Sequence, residues 1–424
     1  MDKTLFKNIA SLFGIQGMNY LIPLITLPYL VRILDPAGYG ALGFSLAIVQ
    51  YCCMLTDYGF NLSATQHIAV NRDDKQKVSK LFWSVLACKA GMALFSLLVV
   101  SVAIYWVPKL NEVSIIIYSG LLMVLGNVLF PTWLFQGKEK MGWIAISNIT
   151  ARLLAIPSIF IFVNKPEHAY VAALITSLTT VLAGCIGLYF VWRQKWVVWY
   201  KPVLADLSEM LRDGWHVFIS TAAISLYTTS TTVILGFISG PIAVGYFVAA
   251  DKLRQAVLGL ITPFFQALYP RVNATMARSR EEGFFLIRKI LKWQSVFTFA
   301  LSIAMFMTAP LMISLAYGEQ YVAAVPVLSL MAWLPFVIGL SNVFGMQTLL
   351  VLGYKAIFSK ILMMAGVINV ILIFPFTYYN AEIGAATSVL LTEIIVTTIM
   401  LVVITKKKIP LFKGPLSKGN LNAI

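Results

Sequence analysis

Runs of about 20 mostly apolar residues recur from one end of this sequence to the other, separated by short polar breaks. A bilayer core about 30 Å thick takes about 20 helical residues to cross. Inside it every backbone N–H and C=O must find its partner within the protein, which leaves α-helices and closed barrels as the spanning structures. Barrel strands would alternate apolar and polar side chains; these runs are continuous and call for helices. Composition points the same way. Hydrophobic residues make up 59% of the 424 and charged residues 12%, against about a quarter charged in soluble domains. A water-soluble fold of this length has nowhere to hide so much apolar surface.

The sequence therefore predicts an all-α integral membrane protein of about twelve transmembrane helices. They are expected over about 9–31, 38–58, 82–105, 114–135, 143–163, 169–192, 214–236, 244–266, 293–316, 324–351, 359–378 and 384–404, at one crossing per run. The first run is too long for a signal-peptide core and has no small-x-small cleavage site after it, so it is expected to stay as the first helix.

A net charge of +15 raises the question of nucleic acid, and the placement of the charge answers it. With the N-terminus on the cytoplasmic side, most of the 32 basic residues fall in the even-numbered breaks and the two tails, among them Lys3, Lys7, Arg72, Lys75, Lys77, Lys80, Arg271, Arg278, Arg288, Lys289, Lys406, Lys413 and Lys418. The opposite breaks hold Arg32, Lys109 and Lys165. This is the positive-inside asymmetry; it predicts cytoplasmic termini and a multi-pass protein, with membrane lipid and not nucleic acid as its surroundings. The longer basic breaks, near 59–81, 193–213 and 267–292, also carry Trp196, Trp199, Tyr200, Phe284 and Phe285. That mixture suits amphipathic segments at headgroup level or plain basic loops that hold topology.

A faint internal repeat appears at a shift of 205 residues. Asp35-Pro36-Ala37-Gly38-Tyr39-Gly40 lies beside Gly240-Pro241-Ile242-Ala243-Val244-Gly245, with Pro on Pro and the last Gly on Gly. Gly137-Lys138 has a looser counterpart in Gly353-Tyr354-Lys355. Two lobes are expected: residues 1–200 with helices one to six, and residues 201–424 with helices seven to twelve and a basic C-terminal tail. Six being even, both lobes enter from the same side, as parallel repeats do in transporters. Spans one, seven and ten carry Gly14, Gly17, Pro23 and Pro28; Thr228 to Thr232; and Pro326, Pro335, Asn342 and Gln347. Such helices either line a cavity or pack tightly through small residues.

Charges at membrane depth are the sharpest functional signal, because burying one costs several kcal/mol unless it faces a partner or a cavity. Arg152, mid-span in the fifth helix, is the leading candidate for a cationic lumen, followed by Lys89, Lys252 and Arg254, with Arg32 at an outer helix end. Glu393, mid-span in the twelfth helix, is the matching acid, with Asp251, Asp57 and Asp35 as further acids for ion coupling or lumen charge. Asp251 and Arg254 lie three apart and can compensate each other. Asp57 can simply cap its helix, and Arg32 with Asp35 either gates or fixes the turn before Pro36. Four basic and three acidic groups in the spans leave room for a neutral cargo. Cys52, Cys53, Cys88 and Cys185 lie in apolar runs and read as small buried residues. His67, His168 and His216 lack metal-ligand spacing, and no Gly-Lys-Ser/Thr phosphate loop is present, so neither metal nor cofactor is expected and no enzyme constellation stands out.

Several segments resemble those of a known family. Asn8, the Gly- and Pro-bearing first helix and Pro28-Tyr29-Leu30-Val31-Arg32-Ile33-Leu34-Asp35-Pro36-Ala37-Gly38-Tyr39-Gly40 are similar to the first-helix signature of polysaccharide-transport flippases of the O-antigen (Wzx) type, in the MOP (MATE-like) superfamily. Asp57-Tyr58-Gly59-Phe60-Asn61 and Gly245-Tyr246-Phe247-Val248-Ala249-Ala250-Asp251-Lys252 resemble further family segments. The resemblance implies a bacterial inner membrane as the location, and transfer there of an undecaprenyl-pyrophosphate-linked oligosaccharide from the cytoplasmic to the periplasmic leaflet by alternating access, with or without ion coupling. It also implies a polysaccharide polymerase and a chain-length regulator as partners. Two alternatives stay open at this point: a small-molecule antiporter of the same superfamily, and a membrane enzyme of lipid-linked polysaccharide assembly such as a polymerase.

Overall fold

The computed structural model describes residues 3–412, with side-chain surroundings for 25–412 apart from 220, 223, 224, 226, 227, 260 and 262–267. The cavity-lining expected of Gly14, Gly17 and Pro23 and the tail residues Lys413 and Lys418 lie outside the residues so described.

Among the described residues the regular structure is all helical, and the chain falls into two compact units, Met1–Ser225 and Leu226–Ile424. The first is built from α1 (Lys3–Asp57), α2 (Phe60–Val70), α3 (Lys75–Trp106), a single turn α4 (Pro108–Asn111), α5 (Ser114–Leu129), α6 (Thr132–Gly137), α7 (Met141–Phe162), α8 (Ala169–Arg193) and most of α9 (Leu204–Thr228). The second contains α10 (Ser230–Arg278), α11 (Arg280–Tyr317), α12 (Val325–Met331), α13 (Leu334–Asn342) running into a π-helical stretch (Val343–Leu350), and α14 (Lys355–Lys406). Among the described residues nine helical runs are long and apolar enough to cross a membrane. Three of them are interrupted by non-helical residues, at Asp35, at Gly240 and at Asn380 with Ala381. The three breaks fall between the first and second, the seventh and eighth, and the eleventh and twelfth of the twelve expected crossings.

Two of these breaks are one device used twice. Asp35 has φ 54 and ψ 176, and Gly240 has φ 83 and ψ −177; a proline follows each, at the positions matched by the 205-residue shift. This region of backbone space is nearly exclusive to glycine and costs any other residue about 1–3 kcal/mol. Asp35 offsets the cost by capping the helix that follows: its Oδ1 accepts from the amides of Ala37 and Gly38, both at 2.9 Å. Pro36 then starts that helix without wasting an N–H. Asp74 caps α3 in the same manner by accepting from the amides of Gln76 and Lys77, and Ser279 accepts from the Glu282 amide in a Ser-x-x-Glu start to α11.

Within the first unit, α5 and α8 cross with almost no space between their backbones. A Cβ on Gly126 would stand 2.5 Å from the backbone carbon of Thr180, and one on Gly184 would stand 2.7 Å from Leu129 Cβ. Close approach through small residues is how helices associate where lipid removes the hydrophobic driving force. The Ser177 hydroxyl adds an interhelical bond to the Gly120 carbonyl at 3.0 Å. Cys52, Cys53 and Cys88 are buried as expected, whereas Cys185 is exposed. It follows Gly184, which is pressed against α5, and a step of about 100° per residue turns it outward.

The basic breaks of the first unit are ordered and not plain loops. The stretch after α8 runs extended along the start of α3, where the Val198 amide donates to Ser79 Oγ and the Trp83 indole donates to the Val198 carbonyl. Lys80 meets the buried Asp206 at 2.8 Å, and the Tyr200 hydroxyl donates to the same carboxylate at 2.8 Å. The hydrogen bond from Lys80 holds the Asp206 carboxyl below the usual range and raises the Lys80 ammonium in return. His67 pairs with Asp213, and Arg72 with Glu139.

Candidate functional site

Each unit carries its own cluster of intramembrane polar groups. In the first unit the C-terminal end of α1, the middle of α3 and the last turn of α5 meet around Lys89. Its side chain is 2% exposed, and its ammonium donates to Asp57 Oδ1 at 3.1 Å and to the Asn127 carbonyl at 2.8 Å. That carbonyl is free to accept because the residue four positions on is Pro131, which has no N–H to close the helix bond. Asn127 Nδ2 then donates to Asp57 Oδ2 at 3.1 Å, which closes a triangle. Asp57 is thus more than a helix cap: it stands as the counter-ion of Lys89.

The segment around Asp57 explains itself by the same geometry. Tyr58 and Gly59 both have positive φ, 42 and 79, which turns the chain sharply from α1 into α2. A Cβ on Gly59 would stand 2.6 Å from Val217, and one on Gly214 would stand 2.7 Å from the Tyr58 carbonyl. Backbone therefore crosses backbone where α9 passes the turn, and the Tyr58 ring stacks on Phe218 with centroids 4.7 Å apart. At the other end of the unit, the Tyr29 hydroxyl donates to the Val163 carbonyl at 2.8 Å and anchors α1 to the end of α7.

Arg152 stands half-buried near the middle of α7 and has no hydrogen-bond or ion-pair partner among the described residues. A guanidinium at this depth without a carboxylate is costly. Arg32 is exposed at the end of the first arm of α1 and makes contacts of its own, while Asp35 is engaged in the cap described above.

In the second unit Asp251, Arg254 and Glu393 come together. Arg254 donates from Nε to Asp251 Oδ1 at 2.7 Å, with its Nη2 2.6 Å from the same oxygen, and the Gln255 amide donates to Asp251 Oδ2 at 2.5 Å. The spacing-based pairing of Asp251 with Arg254 is therefore made. Lys252, one residue round the helix, is exposed and without a partner among the described residues. Thr228, Thr231, Asp251, Arg254, Gln255 and Glu393 share a cavity of about 210 Å³ with Phe247, Leu334, Ile338 and Val389. Glu393, 5% exposed, also lines a second cavity of about 140 Å³ with Ser341, Asn342 and Met346. Behind it runs a buried chain of hydroxyls and an amide: Thr231 donates to Asn369 Oδ1, Asn369 Nδ2 donates to Thr392 Oγ1, and Thr392 donates to the Ser388 carbonyl. The π-helical stretch begins at Val343, beside Asn342, whose buried side-chain oxygen finds no partner. Wide helical turns of this kind gather at functional sites.

Spacing could not reveal Asn127 and Asn369. Both are neutral and sit in apolar runs, and the usable signal was an amide at membrane depth, where a polar group needs a partner. Asp206 lay in a basic break and showed no sign of burial.

Two lobes of membrane helices, the first with a Lys–Asp–Asn triangle at membrane depth and the second with a buried hydroxyl chain and polar cavities, define the class: a multi-pass membrane protein of transporter architecture. Comparison with known proteins agrees and goes further. The family model described as "Polysaccharide biosynthesis protein" matches residues 5–276. A protein of Escherichia coli (strain K12) named "Putative O-antigen transporter" is 44% identical over 390 residues, covering 92% of this chain and 94% of its own length. A protein of the same name from Shigella dysenteriae is 30% identical over 391 residues, covering 92% and 97%. This chain belongs to the polysaccharide biosynthesis protein family. Among solved structures, an inward-facing multidrug resistance MATE family transporter of the MOP superfamily superposes with a TM-score of 0.71 at 15% identity, covering 96% of this chain and 100% of its own. The lipid II flippase MurJ, in an inward closed conformation, gives 0.71 at 14% identity, covering 94% and 87%. At such identities the likeness concerns the fold, which is the MATE-like fold of that superfamily.

Proposed function

We propose that this protein carries a lipid-linked polysaccharide repeat unit, an undecaprenyl-pyrophosphate-linked oligosaccharide, from the cytoplasmic to the periplasmic leaflet of a bacterial inner membrane. The observation that carries this reading is near-full-length identity to two proteins named as O-antigen transporters, joined to a fold shared with a lipid II flippase. The site geometry supports it. Lys89 and Arg254 are each neutralised by an aspartate, which leaves Arg152 and Lys252 as the intramembrane cations available to a pyrophosphate or an acidic sugar. Of these Arg152 is the deeper, and it is assigned to the headgroup. The lipid tail needs no site within the lobes, because it can remain in the bilayer while the headgroup passes and the two units alternate in access.

Glu393 and Asp251 are assigned to ion coupling. A carboxylate that lines two polar cavities beside threonine hydroxyls can exchange a proton or a small cation, and no phosphate-binding loop offers ATP as an alternative source of energy. The small-molecule antiporter remains the second reading; it is favoured by the likeness to the MATE transporter at 15% identity and disfavoured by the names of the two sequence relatives at 44% and 30% identity. The test is repeat-unit translocation in cells that express Arg152→Gln or Glu393→Gln at normal protein level. The proposal expects at least a tenfold loss in each, and wild-type translocation in both would remove these assignments.

A further inference from the structure

A groove on the second unit lies apart from the cavities around Glu393 and shares no lining residue with them. It is formed where α10 and α11 run side by side, and encloses about 450 Å³. Its walls among the described residues are Ile261, Leu268, Leu286, Ile290, Trp293 and Phe297, and the polar groups it contains are Arg271, Lys289 and Gln294. Gln294 is spent inside the protein, where its amide donates to the Gly339 carbonyl at 2.8 Å. Arg271 and Lys289 are exposed and have no ion-pair or hydrogen-bond partner among the described residues. The acids nearest in sequence, Glu281 and Glu282, line a neighbouring hollow with Lys289, Arg288 and Lys292 and do not enter the groove. Trp293 and Phe297 are 66% and 57% exposed, on a helix surface that a bilayer must cover.

We infer that this groove is a binding site for an anionic phospholipid, with one acyl chain along the Leu286–Phe297 wall and the phosphate held by Arg271 and Lys289. The chemistry is complementary at both ends. An apolar channel open to the membrane takes a hydrocarbon chain, with a large gain over water but little over bulk lipid. Retention therefore comes from the headgroup. Two unpaired cations at the basic end of the membrane attract an anionic phosphate by about fivefold each over a zwitterionic one. A carried polyprenyl headgroup fits less well, because among the described residues the polar group left for its sugars beyond the phosphate contacts is Gln294, whose amide is already committed. The basic break between α10 and α11, read from sequence as a topology signal, thus gains a specific ligand, and the bound lipid would brace the α10–α11 hairpin.

Tryptophan quenching by bromine-labelled lipid tests this on the full chain in neutral detergent. The Trp293 signal is taken as wild type minus Trp293→Phe, and phosphatidylglycerol with brominated acyl chains is compared with brominated phosphatidylcholine. The inference expects half-quenching at a mole fraction of phosphatidylglycerol at least about tenfold lower, with the preference abolished in Arg271→Gln/Lys289→Gln. Both of those residues are exposed, so the double variant is expected to fold. Native mass spectrometry of the wild type alone, counting retained phosphatidylglycerol against phosphatidylcholine, gives the same comparison without the tryptophan variant. Equal quenching by the two lipids, or an undiminished preference in the double variant, would overturn the inference. Retention of a polyprenyl phosphate in preference to phosphatidylglycerol would also overturn it and give the groove to the carried lipid.

Discussion

Replacing Asp57 by Asn leaves Lys89 as a charge buried in the first unit without its counter-ion. Breaking a buried pair from one side costs about 3–5 kcal/mol. The structure sets the value near the low end, because the Asp57 side chain is 32% exposed and the ammonium keeps the Asn127 carbonyl. We expect about 3 kcal/mol. The reverse change, Lys89→Met, removes the buried charge itself; the remaining carboxylate is hydrated at its exposed edge and still accepts from Asn127 Nδ2. Its cost is expected at about 1–2 kcal/mol, of the size of one charged hydrogen bond. The double variant should cost no more than Lys89→Met alone, which gives a coupling energy of about 3 kcal/mol. Reversible unfolding in mixed micelles measures all four corners of the cycle. If Lys89→Met proves more damaging than Asp57→Asn, or the coupling is near zero, the pair is not the buried, mutually neutralised unit described, and Lys89 returns as a candidate for the lumen.

Three further outcomes follow from the geometry. Asp35→Ala loses two cap bonds while keeping the strained backbone, for about 1–2 kcal/mol, whereas Asp35→Gly also releases strain of about 1–3 kcal/mol and should unfold within a few degrees of wild type; equal damage from both would refute the strain. Asp206→Asn should be destabilising at neutral pH, and because the folded-state carboxyl is held below its ordinary value of 3.8, the wild-type advantage is complete above that value and fades as pH falls below it. A pH-independent difference would mean that the Lys80 contact is not its source. Gly126→Ala should cost about 1–3 kcal/mol by forcing α5 from α8, while Gly91→Ala, where nothing stands within 4 Å, should be neutral or mildly stabilising in a thermal-shift comparison.

The helices were readable because lipid permits so few structures, and even the Asp35 and Gly240 breaks showed as a Pro-x-x-x-Gly echo in the sequence. What the echo could not reveal is that an aspartate would adopt a glycine's conformation and cap its way out of the strain. The Asp251–Arg254 pair was legible from helical spacing. Lys89 with Asp57 was not, since 32 residues and the intervening α2 separate them and nothing local marks them as neighbours. Asn127 and Asn369 were hidden for another reason: an amide carries no charge, so its presence in an apolar run stands out only once its hydrogen bonds are known. The Asp206 clamp was missed because burial in a basic break depends on how the extended stretch 194–203 lies along α3, a tertiary fact with no periodic signature.

The most direct test of the central claim is made in cells from which this gene has been deleted. Lipid-linked single repeat units are quantified, and a glycan-modifying enzyme added from the periplasmic side reports whether they can be reached. The account predicts that the units accumulate, stay protected from the enzyme, and become accessible when the gene is restored. Units that are reached normally without the gene, yet remain unpolymerised, would contradict it and return the protein to the class of membrane enzymes that assemble the polymer.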